Sequence, residues 1–187
     1  MNNEIIIVSG LPRSGTSLMM QMLAAGGIEV LTDGERMADE DNPRGYLELE
    51  RVKKIKQDAS WLPTARGKAI KMISQLLFDL PATEAYRVLI VQRDLEEILE
   101  SQEKMLTRLG RPAVTRDKLR AAFRSHLERL DDWLGKQSHI ATLRVDYATL
   151  VAKSVDEATR INQFLGGRAD AGAMAKAVDP SLYRNRR

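Results

Sequence analysis

Residues 4–17 read Glu4-Ile-Ile-Ile-Val-Ser-Gly10-Leu-Pro-Arg-Ser-Gly15-Thr-Ser17, and the order of properties in this stretch decides the fold. An uninterrupted β-branched run matches a strand buried on both faces. Gly10 to Gly15 is a turn-forming loop. Thr16 to Ala25 then carries Leu18, Met19, Met22 and Leu23 at helical spacing and stops at Gly26-Gly27. A strand, a glycine loop and a helix in this order aim backbone N–H groups at one point, where the helix dipole favours an anion. The skeleton Gly10-x-x-x-x-Gly15-Thr16-Ser17 overlays the phosphate-loop pattern G-x-x-x-x-G-K-[ST]. Thr16 stands where that pattern has lysine. Arg13 supplies the cation inside the loop instead, as a planar fork suited to oxyanions.

Outward from the loop, strands and helices alternate. Leu31 to Gly45, with Gly34 and Asn42-Pro43, reads as a loop, and Leu47 to Asp58 resumes helical spacing through Leu49, Val52 and Ile55. Ala69 to Ile73 and Arg87 to Gln92 read as strands. Asp94 to Leu109 forms an amphipathic helix with Leu95, Leu99, Gln102, Leu106 and Leu109 on one face. Asp94 and Glu97 resemble a capping box at its start. Thr115 can cap a long helix striped by Leu119, Phe123, Leu127, Leu130 and Leu134. Ile140 to Val145 is the last strand, and Ser154 with Glu157 predicts a capping box for a helix ending at Leu165. This alternation predicts a single α/β domain over residues 1–187, with a mostly parallel central sheet covered by helices on both faces.

Composition narrows the chemistry. The 187 residues suit one domain, and 43% hydrophobic with 29% charged residues is ordinary for a folded protein. The chain has no cysteine, which excludes disulfides, thiolate metal sites and cysteine nucleophiles. His126 and His139 are the only histidines, too few for a histidine metal cluster, and neither has catalytic spacing. Net charge is +3, from 29 Lys+Arg against 26 Asp+Glu, interleaved along most of the chain, so no nucleic-acid stripe is expected. Two local imbalances remain: an acidic stretch over residues 33–41 (Asp33, Glu35, Asp39, Glu40 and Asp41 against Arg36), and the basic tail Arg184, Arg186, Arg187. The apolar run Ile5 to Val8 is far shorter than a signal core or a membrane span, and the expectation is a cytoplasmic protein without a membrane partner.

Gly10-Leu-Pro-Arg-Ser-Gly-Thr-Ser17 closely resembles the phosphosulfate loop of sulfotransferases that use 3′-phosphoadenosine 5′-phosphosulfate (PAPS). Arg93-Asp-Leu-Glu-Glu-Ile-Leu-Glu-Ser101 resembles the same family's 3′-phosphate site, an Arg ending a buried strand and a Ser eight residues later in the next helix. Asp94 and Ser101 are two helical turns apart and share a face, so one phosphate near the helix start can meet both the strand end and the helix side. Taken singly, Arg93 reads as an ion-pair partner of Asp94 or Glu97. Arg144-Val-Asp-Tyr-Ala-Thr-Leu-Val151 is similar to a structural segment late in family members.

The resemblance implies a P-loop sulfotransferase fold. It implies that Pro12, Arg13, Ser14, Gly15, Thr16 and Ser17 hold the 5′-phosphosulfate of PAPS, that Arg93 and Ser101 hold its 3′-phosphate, and that no metal ion is needed. Lys71 is the expected cation for the bridging oxygen, with Lys68 as substitute, and Arg13 adds positive charge. The family's catalytic histidine position is Ile73 here, so another base is needed; Glu35 and Glu48 are the candidates. The tail arginines are further candidates for the 3′-phosphate. The product would be the 3′,5′-bisphosphate (PAP), and the acceptor a hydroxyl or amine of a small molecule, glycan or peptide. Two other readings stay open: a P-loop kinase using ATP and Mg²⁺, for which Asp146 is a candidate acid, and a PAPS- or PAP-binding protein without turnover.

Overall fold

The N-terminal β-branched run becomes β1 (Ile5–Gly10), and all of its residues are buried. The computed structural model describes residues 3–35, 38–39, 42, 45–111 and 115–183. Arg36, Glu40, Asp41 and the tail arginines 184, 186 and 187 lie outside these described residues. After β1 come α1 (Thr16–Ala25), β2 (Ala69–Ile73), β3 (Tyr86–Gln92), α2 (Leu95–Arg108), α3 (Arg116–Leu134) and β4 (Ile140–Asp146). The chain closes with α4 (Tyr147–Ala152), α5 (Ser154–Phe164) and α6 (Ala171–Lys176).

The strands form one sheet of order β2-β1-β3-β4, and every pairing is parallel. Period-two alternation of side chains sorts the core into two layers. Ile6, Val8, Leu89, Val91 and Val145 meet Met19, Met22 and Leu23 of α1, with Leu150, Ile161 and Met174 from the last three helices. Ile5, Ile7, Ile70, Met72, Val88 and Ile90 face the other way, onto Leu130 and Leu134 of α3 and onto Val52, Ile55, Trp61 and Leu62. Each fully buried isoleucine contributes about 1.5–3 kcal/mol over its exposed state. The α/β architecture with helices on both faces is therefore present.

Several local expectations are corrected. Residues 47–58 do not form an α-helix; Glu50–Lys54 is a 3₁₀ segment, continued by a turn over residues 55–57. Val52 and Ile55 are spaced by three and both are buried, a spacing the 3₁₀ turn also satisfies. Asp94 does cap α2, accepting from the N–H groups of Glu96 and Glu97. Glu97 completes no capping box, because its carboxylate is engaged by Arg93. Lys153, not Ser154, precedes α5, and Ser154 is already helical. Helix α6 carried no clear stripe in its Ala-Gly-Ala sequence, yet Met174 is fully buried against the core. Trp61 packs in the core beside α3, and His126 is buried there, sharing a 2.8 Å hydrogen bond between Nε2 and Ser74 Oγ. His139 is half-buried, edge-on to the Tyr86 ring.

Candidate active site

Sheet order alone selects a place for a ligand. The chain leaves β1 toward β2 on one side, while β3 continues to β4 on the other. The crevice beyond the carboxyl ends of β1 and β3 is thus a topological switch point, where α/β folds bind ligands. Gly10 is level with Val91 of β3 and with Ile73 of β2, so the glycine loop, Arg93 and the end of β2 all emerge at one edge. A cavity of about 690 Å³ lies there, within the usual range of about 300–1,000 Å³ for small-molecule sites.

The loop's conformation fits an anion cradle. Gly15 precedes α1 at φ 106° and provides no side-chain cap, so the first-turn N–H groups, at Thr16, Ser17 and Leu18, are offered at the cavity wall. A Cβ on Gly15 would lie 2.3 Å from the Tyr147 ring, which packs flush against the backbone. Arg13 is held at φ 70°, an uncommon backbone state for a side-chain-bearing residue and one that clusters at functional sites. Pro12, Arg13, Gly15, Thr16 and Ser17 all line the cavity. Ser14 departs from its expected role. It is fully buried and outside the lining; its N–H donates to Leu11 O at 3.2 Å, and its hydroxyl fills the space a Cβ on Gly10 would take.

On the β3 side, cationic groups and a hydroxyl converge on the loop. Arg13 Nε donates to Ser101 Oγ at 3.0 Å, and Arg93 Nη1 donates to the Arg13 carbonyl at 3.3 Å. Arg93 Nε donates to Glu97 Oε2 at 2.8 Å, with both side chains over nine-tenths buried. The Arg93 guanidinium lies 4.9 Å from the Tyr147 ring centre and 5.2 Å from that of Tyr183, while the two rings meet edge-on. The Tyr183 hydroxyl donates to the other Glu97 oxygen at 3.1 Å; burial, then that carboxylate, pushes its pKa up. Arg93 is thus oriented on several sides before any ligand arrives.

On the β2 side, Lys71 Nζ donates to Ser17 Oγ at 3.0 Å, to the Tyr46 carbonyl at 3.0 Å and to Glu48 Oε1 at 3.1 Å. The Lys71 side chain is 9% exposed and Glu48 is 22% exposed, so the pair borders the cavity rather than open solvent. Glu48 is placed by main-chain pairing: its carbonyl accepts from Asp33 N and from Thr32 Oγ1. Residue 30 bridges to Ala69, which lays this loop along the outer edge of β2.

Three candidates are not brought here. Glu35 is exposed and outside the cavity lining; its N–H donates to Asp33 Oδ1 in a local turn. Lys68 precedes β2 and pairs with Glu29 at 2.6 Å, so the opposite end of the strand from the cavity holds it. Asp146 caps α4 through the Thr149 N–H and does not line the cavity. Glu97 holds Arg93, as the ion-pair reading of that arginine expects. The Tyr46 carbonyl on Lys71 and the Tyr183 ring and hydroxyl beside Arg93 were not found from the sequence, because no side-chain pattern signals them.

The loop, sheet order and cavity define the α/β phosphate-loop class. Compared as a sequence, the chain matches no protein-family model and none of the curated proteins. Compared as a structure, it resembles the sulfotransferase domain from the curacin biosynthetic pathway, with TM-score 0.51 and 15% identity over 96% of this chain and 88% of that one. A sulfotransferase from Alicyclobacillus acidocaldarius scores 0.49 at 13% identity, over 89% of this chain and 82% of that one. A sugar kinase from a Janibacter species scores 0.45 at 13% identity, over 96% of this chain and 98% of that one. The first of these likenesses concerns the fold alone, an α/β domain whose parallel sheet is flanked by helices. Among the described residues, no helix is long and apolar enough to cross a membrane, and no group of three or more His, Asp or Glu is placed to hold a metal ion.

Proposed function

We propose that the protein transfers a sulfuryl group from PAPS to an acceptor hydroxyl. The observation that carries this reading is the meeting of Arg13, Arg93 and Ser101 beside a phosphate loop that has no lysine. A nucleotide with anionic groups at both ends of its ribose fits that arrangement. The 5′-phosphosulfate would lie on the α1 N-terminus, held by first-turn N–H groups and the Thr16 and Ser17 hydroxyls. The 3′-phosphate would lie toward Arg93 and Ser101 and take over the Arg13–Ser101 contact. The tail arginines, outside the described residues, remain part of this proposal for the 3′-phosphate.

The chemistry asks for in-line positioning and charge stabilisation. The acceptor oxygen attacks sulfur, and the bond from sulfur to the bridging oxygen breaks. That oxygen keeps the electron pair and leaves as the 5′-phosphate of PAP. Lys71, tied to Ser17 of the loop, reaches the place where this negative charge develops. The acceptor proton passes to the Glu48 carboxylate, which already sits 3.1 Å from Lys71. With Ile73 at the position the resemblance gives to histidine, Glu48 is, of the carboxylates lining the cavity, the one paired with Lys71, whereas Asp179 lies in the C-terminal segment.

Thermal shift tests the nucleotide. PAP should stabilise the protein without metal, and Arg93→Ala should weaken PAP binding by about 10–100-fold, the range for losing charge-assisted hydrogen bonds. Stabilisation by ATP with Mg²⁺ and not by PAP would replace this reading with a kinase. Turnover tests the base: with labelled PAPS, Glu48→Gln should retain PAP binding and lose about 10²–10⁴-fold in kcat. Tight PAP binding with no transfer to any acceptor would favour the non-catalytic reading.

A further inference from the structure

The two ends of the cavity differ in chemistry. The β3 end gathers charge, whereas next to Lys71 and Glu48 at the β2 end the cavity is lined by Leu49, Val52, Ile73 and Leu76; Met105 and the polar Gln21, Asn42, Gln102 and Lys104 also line it. Leu49, Val52 and Leu76 belong to the core layer under the sheet, so this wall is continuous with a packed interior. Ile73 is 45% exposed, one of few large apolar side chains so exposed among the described residues, and it ends β2 two residues past Lys71. Lys53, also in the lining, is paired with Glu50 at 2.6 Å. The polar pair Lys71–Glu48 therefore adjoins an apolar surface formed by the end of β2 and the residues that follow Glu48.

Building on the transfer reading, we propose that this surface is the acceptor subsite and that the acceptor is an alcohol with an uncharged, apolar body. Its hydroxyl meets Glu48 and Lys71, and its hydrocarbon covers Ile73, Leu49 and Leu76. A polyol would set hydroxyls against these side chains without partners, and unpaired polar groups are strongly disfavoured in such a site. Affinity for the hydrocarbon follows the area it buries, whatever the detailed shape of the body.

The test is a series of straight-chain primary alcohols from butanol to decanol, with sorbitol as the polar control, titrated into the protein with and without saturating PAP. Affinity should rise about 3–4-fold per added methylene until the wall is covered, the equivalent of transferring that group out of water. Ile73→Asp should flatten the series while leaving PAP binding unchanged, and Ile73→Ser should lower its slope. In turnover, Ile73→Asp should raise the acceptor KM and leave the PAPS KM as it was. A flat series, sorbitol binding as tightly as octanol, or a slope indifferent to Ile73→Asp would overturn the proposal. Absence of PAP binding would instead defeat the transfer reading, while an Ile73-dependent slope in nucleotide-free protein would still establish the apolar subsite.

Discussion

Gly15 shows how one residue is constrained from two directions. Its φ of 106° is a left-handed backbone state, and the Tyr147 ring occupies the place of a β-carbon. Gly15→Ala should therefore cost about 1–3 kcal/mol of stability, as overpacking does, and this is measurable as a lowered urea midpoint. The same substitution should weaken PAP binding, because any shift of the ring carries the first turn of α1 with it. The two lysines before and within β2 make a different point. Lys68 and Lys71 are equivalent in composition, and only the direction of the strand sends one to Glu29 and the other to Ser17 and Glu48.

At the level of elements, α2 serves two sides. Its start orients Arg93 through Glu97, its second turn brings Ser101 to Arg13, and Glu96 clasps Arg116 and Arg120 of α3. Those arginines, Arg120 foremost, hold the Glu96 carboxyl down at about 2. Helix α3 is also joined to the turn after β2 by the buried Ser74–His126 pair, with the Phe78 ring edge-on to the imidazole at 5.9 Å. Burial, and then the nearby Arg129 charge, pushes the His126 pKa below its ordinary 6.5. The folded state thus prefers neutral imidazole more than the unfolded chain does. Its contribution is complete above pH about 6.5 and is lost as pH falls through the depressed folded value. Urea unfolding between pH 8 and pH 5 should show this decline, and His126→Gln should flatten it relative to the parent protein. An identical pH profile in both proteins would remove His126 as the cause.

Across the whole molecule, the last described residue reaches back to the ligand edge. Tyr183 lies 86 positions from Glu97 in sequence yet donates to it, and its ring helps to hold Arg93. A cation–π contact is worth about 1–2 kcal/mol when partly desolvated, so Tyr183→Ala should weaken PAP binding by about 5–30-fold. Tyr183→Phe keeps the ring and should lose less. Calorimetric titration of PAP into both variants checks the order, and equal losses would mean that the hydroxyl alone matters. Leu182 and Asp179 also line the cavity, so the C-terminal segment forms part of its wall.

How much of this was legible in advance follows the range of the interactions. β1, the loop and α1 could be read directly because the signals are local: an apolar run, glycines at a turn, a helical stripe and a glycine stop. The parallel sheet followed from alternation of element types, while Arg93 and Ser101 were singled out by the family resemblance, helical geometry adding only that Asp94 and Ser101 share a face. Residues 47–58 were misread as a helix because Val52 and Ile55 are spaced as either helix type requires. Helix α6 escaped because its burial rests on one methionine and on contact with α1, not on any periodicity of its own.

The sequence by itself determined that a helix N-terminus would follow a buried strand through a glycine loop that carries Arg13 and has threonine at the lysine position, since backbone sterics and hydrophobic periodicity act between neighbours. Only the tertiary structure decided which lysine and which acid face that loop, that Ser14 turns inward, and that Tyr183 closes on Arg93. Apart from Ser14, those outcomes depend on residues 23 to 90 positions apart meeting at one sheet edge, and such meetings are set by strand order and packing, which local patterns do not encode.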